Sequence, residues 1–138
     1  MPERRGRCEV EPVQYRLLRR LEHIEKSARK ALAVTAGITQ EMFLHDEEKQ
    51  EVVGFNLVVL GEAVTAILDR HRDFAKRHRE IPWEDLRYLR NQIAHHYLEI
   101  DPAVVWKTVQ VDCAAYLQKV PELQRDAVEY LKSRGIGR

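Results

Sequence analysis

The chain has 138 residues, a formal net charge of +1, 44% hydrophobic and 33% charged residues, and few aromatics, glycines or prolines. That length suits one domain with a real core that oligomerisation would help stabilise, and the composition points to a soluble all-α protein. No apolar run nears the ~20 residues of a membrane span, the basic start Met1 to Arg7 lacks the apolar stretch of a secretory signal, and Cys8 and Cys113 have no disulfide or zinc spacing, so a cytoplasmic protein with no metal or cofactor is expected.

Residues 1–11 read as a flexible tail. Pro12 then suits a first helical turn, and Leu17, Leu18, Leu21, Ile24, Ala28, Ala31 and Leu32 recur at helical spacing up to a stop at Gly37. Thr39 predicts a capped turn over 40–44, and Asp46 a cap for a long helix whose Glu47 and Glu48 favour its positive end. This second helix is apolar on two faces: Val53, Leu57, Leu60, Val64, Ile67 and Leu68 form one row, and Val52, Phe55 and Val59 another. Gly54 and Gly61, seven apart on one face, each cost ~1 kcal/mol relative to Ala, so they read as points of close helix approach and favour a symmetric dimer built there.

Pro82 predicts a third helix with Trp83, Leu86, Leu89, Ile93 and Ala94 on its buried stripe, ending near Tyr97 or Leu98. Asp101-Pro102 predicts a capped fourth helix running to Pro121, a fifth spans Pro121 to Lys132, and Ser133 to Arg138 should fray. With no strand signal or repeat, the fold expected over 12–132 is an up-and-down bundle of four or five helices.

The third helix carries the polar cluster Arg90-Asn91-Gln92-Ile93-Ala94-His95-His96-Tyr97. At about 100° per residue from Arg90, Asn91 lies near 100°, His95 near 140° and Tyr97 near −20°, whereas His96, near 240°, points elsewhere. Arg90 offers a permanent planar cation for bidentate phosphate contact and for charge growing on phosphorus. His95 can move a proton near neutral pH, and Asn91, four residues earlier, can orient its imidazole. These groups suffice for RNA cleavage without a metal, the ribose 2′-hydroxyl being the nucleophile, so DNA would be spared. Taken alone, the same residues also describe a hydrogen-bonded polar layer in a helical bundle.

Other candidates have plainer explanations. Glu62 could be an acid pairing with Arg90 or His95, or could sit at the solvent edge. Capping accounts for Asp46 beside His45, and Trp83 and Trp106 suit a core better than a base-stacking platform. Arg70, Arg72, Lys76, Arg77, Arg79 and Arg87 crowd the approach to the motif and could attract a polyanion, although acids are interleaved among them.

Arg-x4-His-x-Tyr, preceded by Ile81-Pro82-Trp83 and followed by Asp101 and Val105-Trp106, resembles the HepT group of HEPN-domain proteins, toxin ribonucleases encoded beside a small nucleotidyltransferase antitoxin. Phe43-Leu44-His45-Asp46, Gln50 and Leu60-Gly61-Glu62-Ala63 are similar to that group too, so the likeness runs from about Tyr15 to Leu123. The resemblance implies a homodimeric HEPN bundle in which Arg90 and His95 are the catalytic pair, supported by Asn91, in a cleft at the dimer interface. It implies RNA as substrate, a cognate minimal nucleotidyltransferase antitoxin as partner, and Tyr97 as the tyrosine to which that transferase attaches AMP. The chain departs from the group's pattern at His96, where Asp is common. The same dimer could also serve as a non-catalytic or nucleotide-binding accessory of the transferase.

Overall fold

A computed structural model of the protein describes residues 13–135. Its helices are α1 (Val13–Thr35), α2 (Gln40–Leu44), α3 (Glu47–Arg70), α4 (Arg72–Lys76), α5 (Trp83–His96), α6 (Pro102–Lys107) and α7 (Ala114–Ser133), with a 3-10 turn at Tyr97–Glu99 and a π turn at Thr108–Cys113. No strand occurs among the described residues. The all-α bundle expected from the sequence is therefore present. The expected N-terminal tail, with Pro12 and Cys8, lies outside the described residues.

Three helix starts follow from local chemistry. Thr39 accepts the Met42 amide at the start of α2, Asp46 accepts the Lys49 amide at 3.1 Å at the start of α3, and Asp101 accepts the Ala103 amide at 2.9 Å ahead of Pro102 at the start of α6. Gly37, with φ +79°, ends the turn after α1, a conformation that glycine adopts without steric cost. Gln50 of α3 donates to the Phe43 carbonyl at 2.9 Å and ties α2 to the helix it precedes.

Helix α3 is the spine of the bundle, packed against α1 on one side and α5 on the other, while α7 lies along α1. Leu17, Leu21, Ile24 and Ala28 of α1 meet Val53, Leu60, Val64 and Ile67 of α3 in a core that also takes in Leu86, Leu89 and Ile93 of α5. Tyr116 of α7 donates to the Leu21 carbonyl at 3.1 Å, and Gln110 donates to Thr35 at 2.9 Å, so the last helix is pinned to α1 by polar contacts as well. Helix α3 is long and apolar enough on average to suit a bilayer, a property that its interrupted sequence had not suggested. Its ten buried residues account for that apolar content within the bundle.

Two expectations need correction. Pro121 neither ends a helix nor begins a fifth; it lies inside α7 at an exposed position, with its ring turned away from the core. Lys107, Thr108, Cys113 and Ala114 all keep helical dihedrals, making α6, the π turn and α7 one continuous rod and the bundle four-membered. Ala94 is exposed rather than part of the α5 stripe. At the far end, α7 runs through Ser133 and closes at Gly135, whose φ is +74°.

The segment between α3 and α5 is more ordered than its composition suggests. Phe74 and Ala75 of α4 are buried, and His78 is buried against the Phe74 ring. The His78 ring bonds Asp126 of α7 at 2.7 Å, and Arg77 grips the same carboxylate, which these two partners hold below the usual carboxylate range, Arg77 contributing most. Trp83 Nε1 donates to the His78 carbonyl at 3.0 Å, so this knot also fixes where α5 begins.

Candidate active site

Glycines set the spacing between α3 and α5. Gly61 faces Arg90: a Cβ there would overlap the Arg90 Cβ, lie 2.6 Å from its Cγ and 3.4 Å from the Leu86 carbonyl. Gly54, two turns away, faces Tyr97 and Ile93, at 3.5 and 3.9 Å from a built Cβ. The helices run antiparallel, and the glycines permit close approach within one chain. The expectation that they mark a subunit interface is thereby corrected, because their faces are already occupied by α5.

Over Gly61, the Arg90 side chain lies three-quarters buried and reaches Glu62 of α3 with Nη2. Its Nη1 donates to Asn91 Oδ1 at 2.6 Å, while its buried Nε has no acceptor among the described residues. Arg90, Asn91 and Glu62 therefore form one cluster, with the guanidinium plane fixed by a carboxylate and an amide. Asn91 serves Arg90, not the imidazole of His95 as its spacing had suggested. His95 is exposed and makes no hydrogen bond or ion pair among the described residues. His96 is directed elsewhere, as its helical phase predicts, with Nδ1 at 3.7 Å from Glu99.

Tyr97 falls just past the end of α5. His96 leaves helical geometry (φ −141°, ψ 43°), so the ring is placed by the 3-10 turn and by Gly54 instead of by continued helical phase. It lines a cavity of about 250 Å³ with Glu47, Gln50 and Ile93 and stays 41% exposed. Burial, then the Glu51 and Glu47 carboxylates, raise its phenol above the ordinary tyrosine value, so it stays protonated at physiological pH. Tyr97 and Arg90 contact α3 at points seven residues apart, about 10 Å along the helix.

The tryptophans are core: Trp83 is buried, and Trp106 packs on Phe43 with ring centroids 5.5 Å apart. Buried Cys113 has its thiol pushed up to about 12, chiefly by desolvation. The basic residues ahead of the motif do not form one approach, because Arg72 and Arg87 both pair with Glu84 and Arg77 pairs with Asp126. A cavity of about 800 Å³ beside Arg77, Asp126 and Glu129 holds none of the motif residues. A groove of about 600 Å³ between α1 and α3 does reach Glu62 and is lined by Arg16, Arg19, Arg20, His23 and Arg70. Its α1 members recur at i, i+3, i+4 and i+7, a helical-face pattern legible in the sequence, though less dense than the basic cluster nearer the motif.

Residues 24–126 match the model of the HepT-like ribonuclease family. The chain belongs to that family. The probable ribonuclease HepT of Thermococcus cleftensis is 33% identical over 105 residues, covering 76% of this chain and 93% of the relative. A protein of Caldanaerobacter subterraneus provisionally named an RNase is 26% identical over 112 residues, covering 81% and 91%. Another provisional RNase, from Methanocaldococcus jannaschii, is 31% identical over 98 residues, covering 71% and 73%. No solved structure gave a significant match. The matched span contains every residue of the Arg90 cluster and the α3 glycines. Endoribonuclease chemistry is the activity its geometry must explain.

Proposed function

We propose that this HepT-like ribonuclease is the toxin of a toxin–antitoxin pair, a cytoplasmic, metal-independent endoribonuclease acting through Arg90 and His95. The observation that carries the reading is the Arg90 guanidinium, oriented by Glu62 and Asn91, with an unengaged His95 further along the same helix. In the reaction the ribose 2′-oxygen bonds to phosphorus, the bond from phosphorus to the 5′-oxygen breaks, and the 2′ proton must leave as the 5′-oxygen gains one. Arg90 holds the phosphate and the charge that grows on it. His95 takes or supplies the proton.

A single imidazole cannot be base and acid at the same instant. A homodimer would supply a second His95, and α3 offers a surface for one in Val52 and Phe55, the latter 69% exposed, with half-buried Val59 beside them. Neutralisation would follow from AMP transfer to Tyr97 by a cognate nucleotidyltransferase. The phosphate of a modified Tyr97 would compete for the guanidinium about two turns away.

Purified protein should cleave RNA in excess chelator, and Arg90→Ala and His95→Ala should each lose on the order of 10²-fold or more with helicity retained. Unchanged cleavage in either variant would remove that residue from the mechanism. After co-expression with a neighbouring transferase, intact mass should show added AMP mapping to Tyr97; modification elsewhere would overturn that part of the reading.

A further inference from the structure

We infer that the groove between α1 and α3 is the track along which the sugar–phosphate backbone of single-stranded RNA reaches Arg90. The inference rests on the ribonuclease reading above and adds a binding surface to it. Arg16, Arg19, Arg20 and His23 occupy one face of α1 over about 10 Å, and Arg70 of α3 faces them across the groove. The chain as a whole carries a net charge of only +1, so this concentration is local.

Among the described residues lining the groove the acid is Glu62, whose carboxylate accepts from Arg90. The basic surface therefore runs into the reacting group. Ala63 and Ala66 keep the floor of the groove shallow and smooth. A positively charged channel of this kind follows a flexible polyanion without reading its bases, because every phosphate presents the same charge. Such a track would hold the strand on one side of the scissile bond while Arg90 engages the phosphate to be cut.

The test measures fluorescence anisotropy of a labelled 2′-O-methyl RNA 15-mer, which lacks the nucleophilic hydroxyl, across a series of salt concentrations. The triple variant Arg16→Gln, Arg19→Gln, Arg70→Gln should bind roughly 10-fold or more weakly, and the salt slope should fall by about 0.7 per lost contact. Arg19→Gln and Arg70→Gln, both at exposed positions, should each show the single-contact change and guard against misfolding of the triple variant. The control Lys107→Gln, Lys119→Gln, Arg125→Gln removes equal charge outside the groove and should bind as the wild type does.

Wild-type affinity and slope in the triple variant would overturn the track while leaving the ribonuclease reading intact, provided the wild type still cuts ordinary RNA. Equal losses in variant and control would overturn it as a net-charge effect. A triple variant that keeps RNA but loses the transferase would make the groove a protein-docking surface instead. Wild-type protein that neither binds nor cleaves RNA would sink both readings.

Discussion

Gly61 and Arg90 are matched as a missing side chain and the stem that fills its place. The absent Cβ of α3 is the space taken by the Arg90 Cβ and Cγ, so the position of the guanidinium depends on a residue that makes no polar contact with it. Gly61→Ala should push α5 away from α3, costing ~1–3 kcal/mol by overpacking and lowering cleavage with it. Gly54→Ala meets only ordinary contacts and should be neutral or stabilise by up to ~1 kcal/mol through helix propensity. Chemical denaturation and cleavage assays on the two variants check this; equal behaviour would contradict the geometry.

Tyr97→Phe keeps the ring against Gly54 and removes the hydroxyl oxygen. The variant should still cut RNA yet escape neutralisation by a modifying transferase, read as growth inhibition during co-expression. A Tyr97→Phe variant that the transferase still modifies and neutralises would deny Tyr97 the role of AMP acceptor.

Phe55→Asp places a charge on the exposed apolar ridge of α3 without touching the core. Light scattering should show a dimer for the wild type and a monomer for the variant, and cleavage should fall with dimerisation if two copies of His95 are needed. A fully active monomeric wild type would exclude the composite site.

His71 supplies a pH test of stability. Its imidazole is buried edge-on to Tyr130, and burial, then the charges of Arg20, Arg134 and Arg70, hold its pKa below the ordinary 6.5. The unfolded chain thus binds more protons than the folded one in this range. The stability His71 contributes is complete above about pH 6.5 and is lost as pH falls below it. The urea midpoint should decline from pH 7 to 5, and His71→Phe should flatten that decline. An equally steep decline in the variant would assign the effect to other groups.

What the sequence could convey depended on how local the cause was. Thr39, Asp46 and Asp101-Pro102 act on amides two or three residues away, so their helix starts were readable from spacing alone. The pairing of Glu62 with Arg90 could be named only as one option, since it spans 28 residues and depends on how α3 and α5 meet. Spacing marks Gly54 and Gly61 as contact points without naming the neighbour, because periodicity shows which face is bare and not what covers it. Pro121 is a related case: a proline can stay within a helix where its ring faces solvent, and which face that is depends on packing.

The π turn at Thr108–Cys113 has a consequence for how this fold tolerates changes in chain length. A π turn accommodates one more residue than the α-helix around it, so it acts as a place where an insertion is stored without disturbing what lies beyond. Removing exposed Val111 should let the segment close into regular α-helix while Tyr116, Val120, Leu123 and Ala127 keep their inward phase. The same deletion within α7 would rotate every later residue by about 100° and turn the buried row outward. Length variants of this last helix should therefore be viable at the π turn and fail after Ala114, a contrast that thermal melting of the two deletions would reveal.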